Sequence, residues 1–569
     1  MNQQELRQLI RVARGEMPAD LILANARIIN TFNGDVEQGN VAIHKGRIAG
    51  IGDYSQARET VDLAGKYVAP GLINGHTHVE SSMLHITQYA RAVVPRGTSA
   101  VVTDLHEITN VCGLNGAKQI LRMADDLPLD VFFMVPSCVP ATHLESSGAR
   151  ITADSVQSAL GWKNSVGLGE MMDFPAVLQG DSEVLLKLSL SRGKTIDGHA
   201  AGLHGRDLSA YLAGGIASDH ECTVLEEAQE RLARGMCVMI REGSSEKNLA
   251  ALLPMVNDRT FHRCLLVVDD RNCEDLLCDG DIDAVVRKAI QLGLDPVRAI
   301  QMATINAAQY FRLEGLGAVA PGYQANLIVF SSMATLDIGL VFYRGKLVAR
   351  DGQALFSADV TGGDCLRNTA NVKAFEMAGL RIAAERRHQP IIEVVPGQIT
   401  TRKSSGEVQV RDGAVVTDVA QDVLKLVVIE RHKASGNIGV GLVKGFGLKR
   451  GALASSIAHD SHNIVVVGVE DEDILAAAKE VESLQGGLAV VAEGRVLAAL
   501  PLPIAGLLSD EPLETVVQQL SRVETAAAEL GCTLASPFST LSFLALPVIP
   551  QLRLTDLGLV DVDRFQLLQ

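Results

Sequence analysis

The sequence predicts an α/β protein: a (β/α)8 TIM-type barrel inserted in a small β-sandwich, followed by a C-terminal α/β domain. Three observations carry this expectation. Short apolar runs between residues 70 and 314 alternate with helical segments, the rhythm of repeated βα units around a parallel sheet. Nearly all of those runs end in polar residues, as strands do when their C-terminal ends share one functional face. Strand-like runs before residue 70 are matched by a second set after residue 315, so the stretch between them reads as an insertion.

Taken in order, residues 1–69 hold a short helical lead (Gln4 to Arg14) and the first strands of the sandwich. Their apolar runs, such as Leu21-Ile22-Leu23 and Val41-Ala42-Ile43, are separated by the turn signals Asn33-Gly34 and Lys45-Gly46. The barrel follows over 70–314. Its eight runs end at His76/His78, Thr103-Asp104, Pro136-Ser137, Gly169-Glu170, Gly198-His199, Asp219-His220, Arg241-Glu242 and Asp269-Asp270. Helices are expected over Ala117 to Leu127, Glu183 to Arg192, Val224 to Arg234, Ile282 to Leu292, and from Asp295-Pro296 to about Phe311. Residues 315–389 return the remaining sandwich strands and a linker helix (Val372 to Arg387). Residues 390–569 form the separate C-terminal domain, in which His459-Asp460-Ser461-His462-Asn463 either caps the barrel mouth or makes a hydrogen-bonded strand entrance.

The bulk properties bound the function. A chain of 569 residues, 47% hydrophobic and 21% charged, has the composition of a folded soluble protein with several domains. Its net charge of -16 argues against nucleic acid and anionic membranes, which require a basic surface. Nine scattered cysteines without a Cys-x-x-Cys suggest reduced thiols and a cytoplasmic location, and the N-terminus lacks the pattern of a secretory signal. The uncharged stretch from Gly531 to Leu552 is interrupted by Pro537, Pro547 and Pro550, and reads as buried strands and loops.

The chemistry begins with Gly75-His76-Thr77-His78, where His-x-His at the end of a strand places two imidazoles on one side. With Glu170, His199, His220 and Asp269 these make four imidazoles and two carboxylates at predicted strand ends, a set suited to one or two divalent transition ions. Glu170 can bridge, because a carboxylate has two oxygens. Singly, each residue is more simply a loop cap or a satisfied core group; the shared position at strand ends is what joins them. His85, His143 and His204 lack that logic and read as surface or supporting groups. His106-Glu107, just past the second strand, is a candidate for substrate contact or a helix-start pair.

These residues resemble the amidohydrolase superfamily, whose barrel carries His-x-His at strand one, a bridging carboxylate at strand four, a His at strands five and six, and an Asp at strand eight. More narrowly, Gly75 to Met83, His106-Glu107-Ile108, Pro136 to Ala141, Gly169 to Pro175, Asp197 to Ala200, Ser218 to Thr223, Arg241-Glu242-Gly243 and Ile457 to Asn463 are similar to the bacterial adenine deaminases. So is the C-terminal domain, which most amidohydrolases lack. Leu105 and Ala201 depart from the family, which more often has proline there.

The resemblance implies hydrolysis of adenine to hypoxanthine and ammonia in purine salvage, by a hydroxide generated on two divalent ions: Mn2+ or Fe2+ first, Zn2+ as the alternative. It implies metal ligation by His76, His78, Glu170, His199, His220 and Asp269. Asp269, His220 and Glu107 are the candidate catalytic residues, and His106, Glu107, Arg241 and Asp270 the candidate substrate contacts. Position favours Asp269 over Asp270 as the metal-facing residue. The alternatives are another amidohydrolase reaction, such as cyclic amide hydrolysis, or a noncatalytic metal-stabilised purine-binding protein. The other deaminase signature, His-x-Glu with Pro-Cys-x-x-Cys, is absent. Adenine is thus the expected partner, without nucleic acid or membrane, in a homo-oligomer of two or more subunits.

Overall fold

A computed structural model describes residues 1–384 and 387–568. Within 70–314 the strands are parallel and fall into arcs. Five strands run in the order Thr195–Gly198, Ser165–Met171, Asp130–Val135, Thr98–Thr103, Leu72–Asn74. Three more run Ser218–Asp219, Cys237–Arg241, Cys264–Val267, and the pair Asp269–Asp270 and Thr77–His78 forms a third piece. The arcs adjoin, since Ala217 N donates to Ile196 O at 2.9 Å and Asp269 N to His76 O at 2.9 Å. Asn74 ties the first strand to the last, its amide accepting from Val268 N (3.2 Å) and donating to Asp281 (3.0 Å).

Alternation along these strands explains their near-continuous hydrophobicity. Ile73, Ala100, Val102, Met134, Met239 and Leu265 enter one core, whereas Leu72, Val101, Phe133, Val135, Val238 and Leu266 enter another with the helices. Successive side chains point to opposite faces, so a sheet buried on both faces must be apolar at both parities. The helices lie close to expectation: Ser182–Leu190, Leu225–Ala233 and Ile282–Gln291. Two differ. The helix predicted from Ala117 starts at His106 and is kinked at Gly113 (φ 63°, ψ -166°), a conformation open to glycine. The helix predicted to run from Asp295 to Phe311 divides into Pro296–Met302 and Ile305–Tyr310, broken at Thr304, which has φ -142° and ψ -89°.

The N-terminal and returning strands join in one mixed sheet through antiparallel pairing of Leu327–Phe330 with Tyr67–Pro70, Ile328 opposite Ala69. One face of this sheet gathers Leu23, Ile28, Val41, Ile48, Val68, Leu327 and Val329 into a core of its own. The linker helix expected over 372–387 does not form: apart from residues 385–386, which lie outside the described residues, the segment is irregular with one 3-10 turn at Met377–Leu380. Its apolar residues, among them Leu380, pack singly against the C-terminal core.

That core is an eight-stranded sheet centred on Leu424–Ile429 and Ile464–Gly468, with the helix Asp471–Ser483 packed against it. The uncharged stretch 531–552 is buried in its middle, 541–547 throughout, whereas 531–536 and Gln551 are half-buried or exposed; it forms a short helix, Pro537–Phe543, and loops, with a strand only at its end from Leu552. Among the described residues no helix is long and apolar enough to cross a membrane, and all nine cysteines are unpaired.

Candidate metal centre and its surroundings

Each candidate ligand is placed by the end of its strand. The pairing of Thr77–His78 with Asp269–Asp270 sets Asp269 opposite Thr77 and Asp270 opposite His78. Asp269 itself has φ 68°, a left-handed conformation that aspartate tolerates better than most residues. At the neighbouring strands Tyr211 accepts from His199 N (3.0 Å) and donates to Met171 O (2.7 Å), fixing the loops after Glu170 and before His199's side chain. The buried Asp219 accepts from Arg231 (2.9 Å), Ala200 N (3.1 Å) and Glu221 N (3.0 Å), which locks the backbone on both sides of His220.

The six residues converge on one buried point, with Glu170 at its centre. Its Oε1 lies 3.4 Å from His76 Nε2 and 3.1 Å from His78 Nε2. Its Oε2 lies 3.0 Å from His199 Nδ1 and 3.5 Å from His220 Nε2. Asp269 Oδ1 is 3.6 Å and 3.2 Å from the same nitrogens of His76 and His78. Two of these buried atoms, His76 Nε2 and Glu170 Oε1, and the other ring nitrogen of His199, Nε2, have no hydrogen-bond partner among the described residues. Buried polar atoms are rarely left unpaired, and a mixed nitrogen and oxygen donor set fits first-row divalent ions. His76, His78 and Asp269, and His76, Glu170 and His220, are each grouped closely enough to hold one. Burial resists the charge on Glu170 and Asp269, but the surrounding imidazoles and, for Asp269, Arg241 first, hold both well below the ordinary carboxylate range.

The surrounding shell is denser than the sequence suggested. Asp104 Oδ1 lies 3.3 Å from His78 Nδ1 and 2.8 Å from His106 Nδ1, so it orients a candidate ligand as well as the substrate candidate His106. Glu221 Oε1 lies 3.3 Å from His220 Nε2. Arg241 is held between Glu221 (3.1 Å from Nη2 to Oε2) and Asp269 (2.7 Å), with Asn248 at 3.1 Å. Asp270 accepts from Ser81, and burial pushes its pKa up to about 6. Glu107 faces His459, whose Nδ1 is 3.0 Å from Oε1.

His459 and Asp460 thus reach the ends of the parallel strands, Asp460 lying 3.6 Å from His106 Nε2. Asn463 does both, accepting from Arg431 N (3.2 Å) at its own strand entrance and donating across to Ser146 O (2.8 Å). The two readings of this motif therefore hold together. Met172, Ile399, Phe543, Leu546 and Ile549 supply an apolar wall to a cavity of about 40 Å³, which opens beside a cleft of about 840 Å³. Phe543 stacks on His459, ring centres 4.4 Å apart.

Some expectations change. His85 is not a surface group: it is fully buried and accepts from Thr87 N at the start of a helix. His204, by contrast, lies on the surface as expected, exposed and paired with Glu230 at 2.9 Å. Leu105 is buried at φ 50°, which a proline ring, fixed near -65°, cannot adopt. The departure at this position is therefore tied to the loop conformation itself. Asp104, Glu221, Glu246, Phe543 and Leu546, which also line or support the cavity, were not singled out from sequence.

Comparison with known proteins assigns the chain to a family. The amidohydrolase family model matches residues 67–365, and the adenine deaminase C-terminal domain matches 398–566. An adenine deaminase of Dehalococcoides mccartyi is 58% identical over 566 residues, covering 100% of this chain and 99% of that one. Adenine deaminase 2 of Carboxydothermus hydrogenoformans is 49% identical over 98% of each chain, and an adenine deaminase of Halalkalibacterium halodurans 45% identical over 98% of this chain and 97% of its own. With both regions matched and relatives aligned along the full length, the chain belongs to the adenine deaminase family of amidohydrolases.

Proposed function

We propose that the protein hydrolyses adenine to hypoxanthine and ammonia, in purine salvage in the cytoplasm. The observation that carries this reading is the placement of Glu170, with one oxygen toward His76 and His78 and the other toward His199 and His220. His76, His78, Glu170, His199, His220 and Asp269 would hold two divalent ions, Mn2+ or Fe2+ before Zn2+. When bound, such ions supply a nucleophile at neutral pH by lowering the pKa of water to about 7.

The residues around the donor set divide the remaining work. Asp269 accepts a proton at its carboxylate as water oxygen adds to C6 and returns it to the departing amine. Arg241, paired with that carboxylate and with Glu221, positions Asp269, which replaces its expected role at the base edge. His220 polarises the ring as charge develops. Glu107, fixed by His459, with His106 and Asp270, faces the base, and the apolar wall excludes water from it.

This reading takes the parallel arcs as one (β/α)8 barrel over 70–314, set in a β-sandwich made by 1–69 and 315–389, with 390–569 as the C-terminal domain that completes the site. It takes the molecule as a homo-oligomer. The test is ammonia release from adenine by protein loaded separately with manganese, iron and zinc, beside a chelated control. Metal-dependent release with hypoxanthine as product is expected; metal-replete, folded protein that releases none would exclude the reading.

A further inference from the structure

Glu246 is a cavity-lining carboxyl to which the reading above gives no role. It lies in the loop after Cys237–Arg241, whose backbone is anchored by Gly243 N to Glu246 O (3.0 Å) and Ser244 N to Asp270 O (2.8 Å). The residue is 6% exposed, and neither Oε1 nor Oε2 has a side-chain hydrogen-bond partner among the described residues. The nearest cation along the loop, Arg241, is already engaged by Glu221, Asp269 and Asn248. Glu246 lines both the inner cavity and the outer cleft, and so stands where one opens into the other. Beyond its own backbone amide, no described residue is hydrogen-bonded to this carboxyl; a buried carboxyl so little satisfied, at the mouth of a binding cavity, is a group kept for a ligand.

We infer that Glu246 receives the N3/N9–H edge of the purine and thereby selects free bases over bases substituted at N9. This rests on the reading above, in which C6 faces the metal ligands. In the purine ring N3 lies across the six-membered ring from C6, and N9 is next to it, so with C6 inward this edge points outward, toward Glu246. The edge presents one acceptor and one donor side by side, and a carboxylic acid presents the complementary pair. Burial, then the neighbouring Asp270, pushes the Glu246 carboxyl up to about 8, so it is available in its protonated, two-function form near neutrality. A sugar or methyl group on N9 removes the donor and collides with the carboxyl.

The test compares adenine with 9-methyladenine as substrates, and hypoxanthine with 9-methylhypoxanthine as ligands by calorimetry, in metal-loaded wild type, Glu246→Ala and Glu246→Leu. Wild type should prefer the N9–H compound in both assays. Either variant should raise KM for adenine roughly 10- to 100-fold with kcat little changed, and bring the two compounds of each pair toward equal use, as expected when a hydrogen-bonding specificity group is removed. Two variants guard against one failing to fold. Undiminished preference for the N9–H compound in a folded variant would overturn the inference. Wild type that releases no ammonia would overturn the deaminase reading instead, and the hypoxanthine pair would still decide the role of Glu246.

Discussion

Glu107, at the start of the helix after the strand Thr98–Thr103, and His459, in the C-terminal domain, face each other at 3.0 Å, both buried. The contact joins a residue that reads as substrate-facing to one contributed from the other end of the chain. It makes the C-terminal domain part of the site's machinery, and it can be probed through protonation.

Burial, the largest single influence, lowers the pKa of His459, but Glu107, Asp270 and Asp460 facing the same ring together outweigh it and push it up to about 9 from an ordinary 6.5. A folded-state pKa above the unfolded value stabilises fully below about pH 6.5, and the contribution is lost as pH rises through about 9. The melting temperatures of wild type and His459→Gln should therefore differ most near pH 6 and converge above pH 9. A difference that does not vary with pH would show that His459 acts only through packing.

Glu170→Gln removes the charge that faces both imidazole pairs. Bound metal per chain, measured by elemental analysis, should fall, and ammonia release should drop by about three orders of magnitude or more. Treating wild type with a chelator should lower its melting temperature, because ions that bind only the folded chain stabilise it. Equal metal content in the two proteins would contradict the bridging placement.

Arg241→Met leaves Asp269 and Glu221 buried without their shared cation. Breaking such a pair costs about 3–5 kcal/mol, to be read from the urea midpoint. Asp269→Asn tests the other side of the same contact: with metal retained, turnover should fall roughly 10²- to 10⁴-fold. Near-full turnover with metal in place would remove Asp269 from proton transfer.

Asp104→Asn weakens the hold on His78 Nδ1. Supporting carboxylates of this kind typically account for about 10- to 100-fold in metal affinity, which competition with a chromophoric chelator would resolve. His106 shares the same oxygen at 2.8 Å, so KM for adenine should rise as well.

The first tier of the site was legible because it obeys strand logic. His76, His78, Glu170, His199, His220 and Asp269 each follow an apolar run, and a parallel sheet aligns all such ends. The second tier was not. Glu221 and Glu246 sit in loops whose path is set by contacts such as Arg231 with Asp219, and no periodicity records these. Asp104 stood at a strand end in plain view, but its role depends on a 3.3 Å approach to His78 that only the fold creates. The helix expected over 372–387 failed for a related reason: its apolar residues serve separate contacts with the C-terminal core, and tertiary packing overrode local pattern. Phe543 and Leu546 were hidden in a segment whose lack of charge spoke of burial but not of what it would cover.

The apolar wall also decides what the site depends on. All six candidate metal ligands lie between His76 and Asp269, whereas Phe543, Leu546 and Ile549, which wall one side of the cavity, come far later in the sequence. Loosening the segment that carries Phe543 would therefore admit water to the base without touching a single metal donor, so leakiness and metal content of the site can be changed separately.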